Sequence, residues 1–275
     1  MTDLSSSSGA KALDGLAASS ATLSGADIAA LSKAREARWR PGLDDQPLHS
    51  EIFANLLDAS GAGLALALAR DALAASARVD DPLAEPEDRR QVLWVQDAKA
   101  VQHGGRPYVH GLPGDLRDRL IHVEAATPED ALFALEEGLR CRDLACVIGE
   151  IVGNPRALDF TASRRLSLTA EKHGVALWLV RLEARADLSS ARMRWRAAPA
   201  PSPAPRWNAA APGASSWTAE LFRARSHAPG QWTLTNDDGH LAVRRANDTG
   251  AASSPDPRDL VRPTVGRSLA AIARA

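Results

Sequence analysis

Hydrophobic and polar residues in the middle of the chain alternate between strand-like and helix-like patterns. Short, nearly continuous apolar runs predict buried strands at 48–54, 92–97, 120–124, 144–152 and 175–182. Apolar residues at helical spacing predict helices between them, at 64–77, after Thr127 and at 161–173. Nearly all-apolar strands that alternate with helices indicate a mostly parallel sheet with helices on both faces. The sequence therefore predicts an α/β fold.

The segments on either side of this pattern are predicted to be irregular or small. A last strand at 193–198 completes a core domain that covers 48–198. Outside the core we predict a disordered N-terminus at 1–23, an amphipathic helix at 24–40, a Pro/Ala/Ser linker at 199–216, a small β extension at 217–247 and a disordered tail at 248–275. Within the extension, Asp237, Asp238 and Gly239 separate two strand-like segments and predict a β hairpin.

Composition adds a charge asymmetry to this picture. The 275 residues carry a formal net charge of −1. Residues 1–180 hold 19 Lys and Arg against 26 Asp and Glu, a net of −7, whereas residues 181–275 hold 14 against 8, a net of +6. A basic C-terminal part favours contact with nucleic acid or with an acidic partner.

The expected compartment is a reducing cytoplasm. The two cysteines, Cys141 and Cys146, do not make a disulfide framework. The N-terminus lacks the basic and apolar regions of a secretory signal. The most apolar run, Leu64–Ala69, is far too short to span a bilayer. We therefore expect a cytoplasmic protein that binds no membrane, no metal and no cofactor.

The turn between the first strand and the first long helix has the position of a phosphate-binding loop but not its residues. Such a loop reads G-x-x-x-x-G-K-[ST], because backbone N–H groups and lysine hold the phosphates and the hydroxyl binds Mg²⁺. Here the turn at 55–63 reads NLLDASGAG. With Gly61 as the last glycine of the motif, Ala62 replaces the lysine and Gly63 replaces the hydroxyl residue; with Gly63 in that place the motif fails as well. Asp58 adds a negative charge, and an ordinary turn that never bound nucleotide is the alternative interpretation.

The order of these elements resembles the ImuA family, RecA-like proteins of bacterial SOS-mutagenesis cassettes that are sometimes labelled SulA-like. The resemblance rests on the runs HSEIFA, VLWVQD, HGLPGDLRDRLIHVEAATPEDALFALEEGLRCRDLACVIGEI and TASRRLSLTAEKHG. It covers about 48–198, and 111–152 is its most specific part. The resemblance implies a RecA-like core in which the turn at 55–63 is a degenerate P-loop.

The resemblance also implies relic acids and partners. Asp97 ends the strand where RecA has its catalytic glutamate, and Glu150 stands where RecA has the Mg²⁺-linked acid. Neither acid has a phosphate-binding lysine to work with, which puts ATPase activity in doubt. The implied partners are an ImuB-type Y-family polymerase relative and an error-prone replicative-type polymerase, which act in translesion synthesis after DNA damage. RecA and DNA are further candidate partners.

An arginine-rich strand and two later arginines are the candidate contact residues. If 191–196 is extended, Arg192, Arg194 and Arg196 share one face, and Met193 and Trp195 share the other. Three guanidinium groups in a row suit phosphate, although a solvated edge strand over a core tryptophan explains the pattern equally. The full set of candidate contacts to nucleic acid or a partner is Arg192, Arg194, Trp195, Arg196, Arg244 and Arg245.

Three functions are compatible with these observations. The first is a non-catalytic RecA-like accessory protein of SOS-induced mutagenesis and translesion synthesis that binds its partners without enzymatic activity. The second is a weak ATPase with an unconventional nucleotide site that uses Glu150 and Asp97 as acids. The third is a cell-division inhibitor, which the SulA-like label alone suggests.

Overall fold

The computed structural model describes residues 47–76, 90–205, 208, 211–225, 227–237 and 240–245. The segments predicted as a disordered N-terminus (1–23), an amphipathic helix (24–40) and a disordered tail (248–275) lie outside the described residues. Among the described residues, no helix is both long and apolar enough to cross a membrane.

The described residues form nine strands, four α-helices and two short 3₁₀ helices (Val109–Gly111 and Arg117–Arg119). Strands and α-helices alternate as far as β5, and β5 to β9 follow one another without a helix. The strands are β1 (His49–Ala54), β2 (Gln91–Asp97), β3 (Leu120–Ala125), β4 (Leu144–Val152), β5 (Ala176–Leu182), β6 (Met193–Pro199), β7 (Ser216–Ala224), β8 (Gly230–Asp237) and β9 (His240–Arg245). The helices are α1 (Ser60–Ser76), α2 (Ala98–Gly104), α3 (Pro128–Arg140) and α4 (Phe160–His173). Every strand and long helix predicted for the core is present within a few residues of its predicted bounds.

All nine strands form one sheet in the order β3-β2-β4-β5-β1-β6-β7-β8-β9. The pairs from β3 to β6 are parallel, and the pairs from β6 to β9 are antiparallel. The prediction of an α/β fold with a mostly parallel sheet is therefore confirmed. Strand β1 lies in the middle of the sheet, between β5 and β6.

Helices cover the parallel part of the sheet on both faces. One face buries α3 and α4, whose Leu135, Leu139 and Leu166 join a core cluster with Val147 of β4 and Leu177 of β5. The opposite face packs against α1, where Gly61 closely approaches Val180 of β5. Because successive strand residues point to opposite faces, Leu177 and Val180 belong to different faces of the same strand.

Local capping explains where the helices begin and end. The side chains of Thr127 and Asp159 accept hydrogen bonds from the N–H groups of Asp130 and Ala162, as N-cap residues do. Gly174 ends α4 in a left-handed conformation that favours glycine. Asp97 caps α2, a short helix that the sequence pattern did not predict because it offers too few turns to show a period.

The C-terminal strands differ from the predicted arrangement of a linker followed by a small, separate extension. Strands β8 and β9 pair antiparallel, as the predicted hairpin requires, and β7 joins them to the main sheet through β6. Trp217, Leu221 and Trp232 are buried on the face that carries Trp195. Strands β7 and β8 are therefore part of the main core, because their apolar side chains complete the cover of β6.

A buried carboxylate joins three strands at the centre of the sheet. The Arg194 Nε of β6 donates to Glu51 Oε2 at 2.7 Å, and Arg181 Nη1 of β5 lies 3.6 Å from Glu51 Oε1. Ser189 Oγ, in the connection between β5 and β6, donates to Glu51 Oε1 at 2.7 Å. Glu51, Arg181 and Arg194 are all buried. Burial lowers the pKa of Arg181, and the charges of Glu51 and Asp187 oppose that shift.

Hydroxyl groups extend this polar cluster to α4. Ser167 Oγ lies 2.7 Å from His49 Nδ1 and 2.6 Å from Ser190 Oγ. Ser163 Oγ lies 2.8 Å from Ser189 Oγ. The β5–β6 connection is thus tied to both α4 and β1 through side-chain hydrogen bonds.

Replacing the central carboxylate should destabilise the fold strongly. Glu51→Gln removes the counter-charge of buried Arg194 and leaves buried Arg181 only the partly exposed Asp187, so we expect a loss of about 3 kcal/mol in the free energy of unfolding. The control is Glu220→Gln, whose partner Arg196 is half-exposed, so the expected loss is below about 1 kcal/mol. Urea unfolding followed by tryptophan fluorescence measures both. Equal losses in the free energy of unfolding for the two variants would show that the Glu51 cluster stabilises the fold no more than a surface ion pair does.

Stability should also fall in mild acid because of His49. Burial is the main cause that lowers the pKa of His49 from 6.5 to about 4, so between these values the unfolded chain binds more protons than the folded one. Stability is therefore complete above pH 6.5 and is lost as pH falls towards 4, by roughly 3 kcal/mol in total. Urea unfolding across this range should show a flatter profile for His49→Gln than for the unsubstituted protein. If the two proteins showed the same dependence of stability on pH, His49 would not be the cause of the loss in acid.

Candidate functional site

The turn at 55–63 stands where a phosphate-binding loop would be expected, and nearby side chains accept hydrogen bonds from three of its backbone N–H groups. Asn55 Oδ1 accepts from the Leu57 N–H at 2.6 Å, and Asp58 Oδ1 accepts from the Ser60 N–H at 2.8 Å. Glu183 Oε1, after β5, accepts from the Leu56 N–H at 3.2 Å. Three side-chain oxygens thus occupy donors of the kind that a phosphate-binding loop offers to its ligand.

The charge at this turn opposes an anion. A helix N-terminus attracts negative charge through its free N–H groups and its dipole. Here the Asp58 carboxylate holds that position at the start of α1. Ala62, at the place of the motif lysine, offers no cation. An incoming phosphate would have to displace a covalently tethered carboxylate without the help of a lysine.

The two glycines of the turn serve packing. A Cβ atom on Gly61 would lie 2.7 Å from both Ala54 Cβ and Val180 Cγ1. A Cβ atom on Gly63 would lie 2.9 Å from Trp217 Nε1 of β7. These glycines let α1 approach the sheet closely. The helix begins at Ser60, four residues before the predicted position of 64.

Asp97 and Glu150 are buried and hydrogen-bonded within the sheet. Asp97 Oδ1 accepts from the Ala100 N–H at 2.7 Å and its Oδ2 accepts from the Val152 N–H at 3.0 Å. Both oxygens of Asp97 therefore join the end of β2 to α2 and β4. Glu150 Oε1 accepts from Trp94 Nε1 at 2.6 Å and from Gln96 Nε2 at 3.2 Å.

The surroundings of Glu150 favour its protonated form. Burial raises its pKa, and the charge of Asp97 acts in the same direction, while the hydrogen bonds from Trp94 and Gln96 act in the opposite direction. Gln96 Oε1 in turn lies 2.9 Å from His122 Nε2. Glu150 is thus the centre of a polar network inside the sheet.

The arginine strand is interior, and its residues divide into buried and exposed ones. Arg194 is only 2% exposed, and its guanidinium lies 5.0 Å from the Phe53 ring and 5.6 Å from the Phe222 ring. Trp195 is fully buried against Trp232. Neither Arg194 nor Trp195 is therefore available on the surface, because β6 pairs with β1 on one side and β7 on the other.

Arg192, which directly precedes β6, and Arg196, in the middle of β6, are both exposed. Each forms an ion pair on the surface, Arg192 with Glu171 of α4 and Arg196 with Glu220 of β7. Surface pairs of this kind contribute little stability, so both arginines can exchange partners at low cost.

Arg244 and Arg245 do not share a face. Arg244 is exposed and opposite Thr233, whereas the register places Arg245 opposite Trp232. Adjacent strand residues point to opposite faces, so only Arg244 can share a surface with Arg196. The side chain of Arg245 lies outside the described part of the chain.

The central ion cluster was missed from sequence alone. Glu51 lies in a strand whose residues are nearly all buried, and Arg181 lies in an otherwise apolar strand. A charge in such a strand requires a buried partner. That pattern was available in HSEIFA and ALWLVRL and could have indicated a pair, although it could not have named Arg194 as the third member.

Fold and site together define an α/β protein with a mostly parallel sheet, in which Asn55, Asp58 and Glu183 bind three backbone N–H groups of the turn after the central strand. Over 133 residues the chain is 36% identical to Protein ImuA of Caulobacter vibrioides strain NA1000 / CB15N, a match that covers 44% of this chain and 52% of that protein. Protein ImuA of strain ATCC 19089 / CIP 103742 / CB 15 gives the same figures. These matches confirm the resemblance to the ImuA family. The chain spans about half the length of these curated relatives, and no family model matches it.

The close approach of α1 to the sheet predicts a cost for any side chain at Gly61. Gly61→Ala should lower the free energy of unfolding by about 1–3 kcal/mol, because Ala54 Cβ is fixed to the backbone of β1. The matched control is Gly104→Ala in α2, where a Cβ atom meets nothing within 4 Å. We expect that control to be neutral or slightly more stable. Thermal unfolding of both variants tests this, and a neutral Gly61→Ala would mean that the helix can move away from the sheet.

Proposed function

We propose that this protein is a non-catalytic, RecA-like accessory protein of SOS-induced mutagenesis and translesion synthesis. The similarity to ImuA supports the pathway. The observation that carries the non-catalytic part is the Asp58 carboxylate bound to the Ser60 N–H at the start of α1. Phosphoryl transfer needs cations and a metal ion around the phosphates, and this turn presents a carboxylate in their place.

The chain order of the elements supports the RecA-like assignment. A central strand, β1, leads through a short turn into α1; β2 ends in an acid, Asp97; and β4 carries a second acid, Glu150. This is the layout of a P-loop protein in which the acids remain and the phosphate loop has degenerated. In our proposal Asp97 and Glu150 now hold the sheet together through their hydrogen bonds.

The proposed partners are an ImuB-type polymerase relative and, with it, an error-prone replicative-type polymerase. RecA is a further candidate partner. In this proposal the protein acts in the cytoplasm as a binding platform, and its sheet is rigid because a buried ion cluster and helices on both faces hold the parallel strands. A rigid platform loses little conformational entropy when it binds.

The proposal predicts that an acid essential to an ATPase is dispensable here. Glu150→Gln keeps an oxygen that can accept from Trp94, so the variant should fold and restore damage-induced mutagenesis to a deletion strain as fully as the unsubstituted gene does. The full chain should also co-purify with the ImuB-type polymerase relative upon co-expression. Equilibrium dialysis with Mg²⁺-ATP should show no saturable binding.

Two outcomes would favour the rival functions. Saturable Mg²⁺-ATP binding, with turnover that a folded Glu150→Gln variant loses, would identify a weak ATPase. Filamentation upon overexpression without any other cassette member would identify a SulA-like division inhibitor. Normal damage-induced mutagenesis in the deletion strain would contradict the proposed pathway as a whole.

A further inference from the structure

The antiparallel half of the sheet has two unlike faces. On one face Trp195, Trp217 and Leu221 are buried. On the other face the strands carry Arg196, Thr218, Phe222, Thr233 and Arg244, which are exposed or half-buried. We call these five residues the open sheet face. Their registers place Thr218 opposite Thr233 and Thr233 opposite Arg244, so they belong to one continuous surface across β6 to β9.

Arginines surround this face and outnumber its acids. Arg196 and Arg244 lie on it, and Arg192, Arg223 and Arg225 lie at the end where β6 begins and β7 ends; all five are exposed. Arg223 is opposite Arg194 in register, and the Arg225 N–H donates to the Arg192 carbonyl oxygen.

Few carboxylates balance these charges. Glu220 pairs with Arg196, and Glu171 of α4 pairs with Arg192. Within the part of the chain that the structure describes, Arg223, Arg225 and Arg244 take part in no ion pair. The open sheet face is therefore a cationic surface whose natural complement is a polyanion.

The aromatic ring on this face gives it a flat, rigid element. A bulge in the β6–β7 pair adds Phe222 as an extra residue beside Arg223. The Arg196 guanidinium lies 4.3 Å from the Phe222 ring centroid, and the Phe222 ring meets Phe53 edge-on at 5.7 Å. The planar guanidinium thus lies over the ring while 54% of the Arg196 side chain stays exposed, and a nucleic-acid base can stack on such an exposed guanidinium or aromatic plane.

We propose that the open sheet face binds single-stranded nucleic acid. Arginine side chains would hold phosphates, the Thr218 and Thr233 hydroxyls can donate to phosphate oxygens, and the Arg196–Phe222 pair would receive a base. A flat four-stranded face carries no helix or narrow ribbon that could enter a duplex groove. An acidic protein segment would match the charge but would gain nothing from the stacking element. This inference goes beyond the proposed accessory role and does not depend on it.

The test is fluorescence anisotropy of the full chain with a labelled oligothymidylate over a range of salt concentrations. Arg244→Glu should weaken binding on the order of tenfold, and it should reduce the slope of log affinity against log salt by about 0.7, the value for one lost phosphate contact. Glu220→Gln should tighten binding a few-fold, because Arg196 no longer has a competing carboxylate. The matched control is Arg142→Glu, an exposed arginine before β4 in the other half of the sheet, which should bind as the unsubstituted protein does.

Four results would overturn the inference. The first is the absence of salt-dependent binding by the unsubstituted protein. The second is an equal loss from Arg142→Glu and Arg244→Glu, which would make the effect one of net charge. The third is duplex DNA binding as tightly as the single strand. The fourth is polyglutamate competing as well as oligothymidylate at equal charge, which would assign the face to an acidic protein. None of these results bears on ATP binding or on co-purification with a polymerase, so they are separable from the proposed function.

Discussion

The buried carboxylate of Glu51 is the constraint on which the arrangement of the sheet depends. A charge without solvent must be matched by opposite charge, and the two guanidinium groups that match it come from the strands on either side, β5 and β6. If another strand took the place of β5 or β6 beside β1, Glu51 would lose one of its two arginine partners in the core. The same carboxylate accepts from Ser189, so it also holds the connection that carries the chain from β5 past β1 to β6.

The sheet has two halves with different surroundings. From β3 to β1, helices cover both faces, and both carboxylate oxygens of Asp97 and the Oε1 atom of Glu150 accept hydrogen bonds inside the core. From β6 to β9, one face completes the core beneath α1 while the other faces outwards. Arg194 marks the border, because its guanidinium pairs with Glu51 inside and lies over Phe222 at the start of the open sheet face.

Much of this fold could be predicted from sequence, because local pattern determines the type of each element. The strand at 144–152 and the helix capped by Thr127 show their character in a few residues. Pairing between distant segments has no local signal, so the joining of β7 to β6 across a Pro/Ala/Ser stretch was not foreseen. For the same reason, the alternation of side chains along a strand could place Arg192, Arg194 and Arg196 on one face. It could not predict that Arg194 is buried in an ion pair with Glu51.

The turn at 55–63 and the open sheet face differ in what they offer to an anion. A helix N-terminus binds phosphate only while its donors are free, and at α1 the Asp58 carboxylate holds one of them. Removing that tethered carboxylate would still leave Ala62 where a lysine is needed. The exposed arginines instead lie beyond β1, on strands that a nucleotide-binding core does not require. An anion that binds this protein by charge would therefore meet the sheet face before the turn, and it would meet it as an extended chain of phosphates rather than as a single nucleotide.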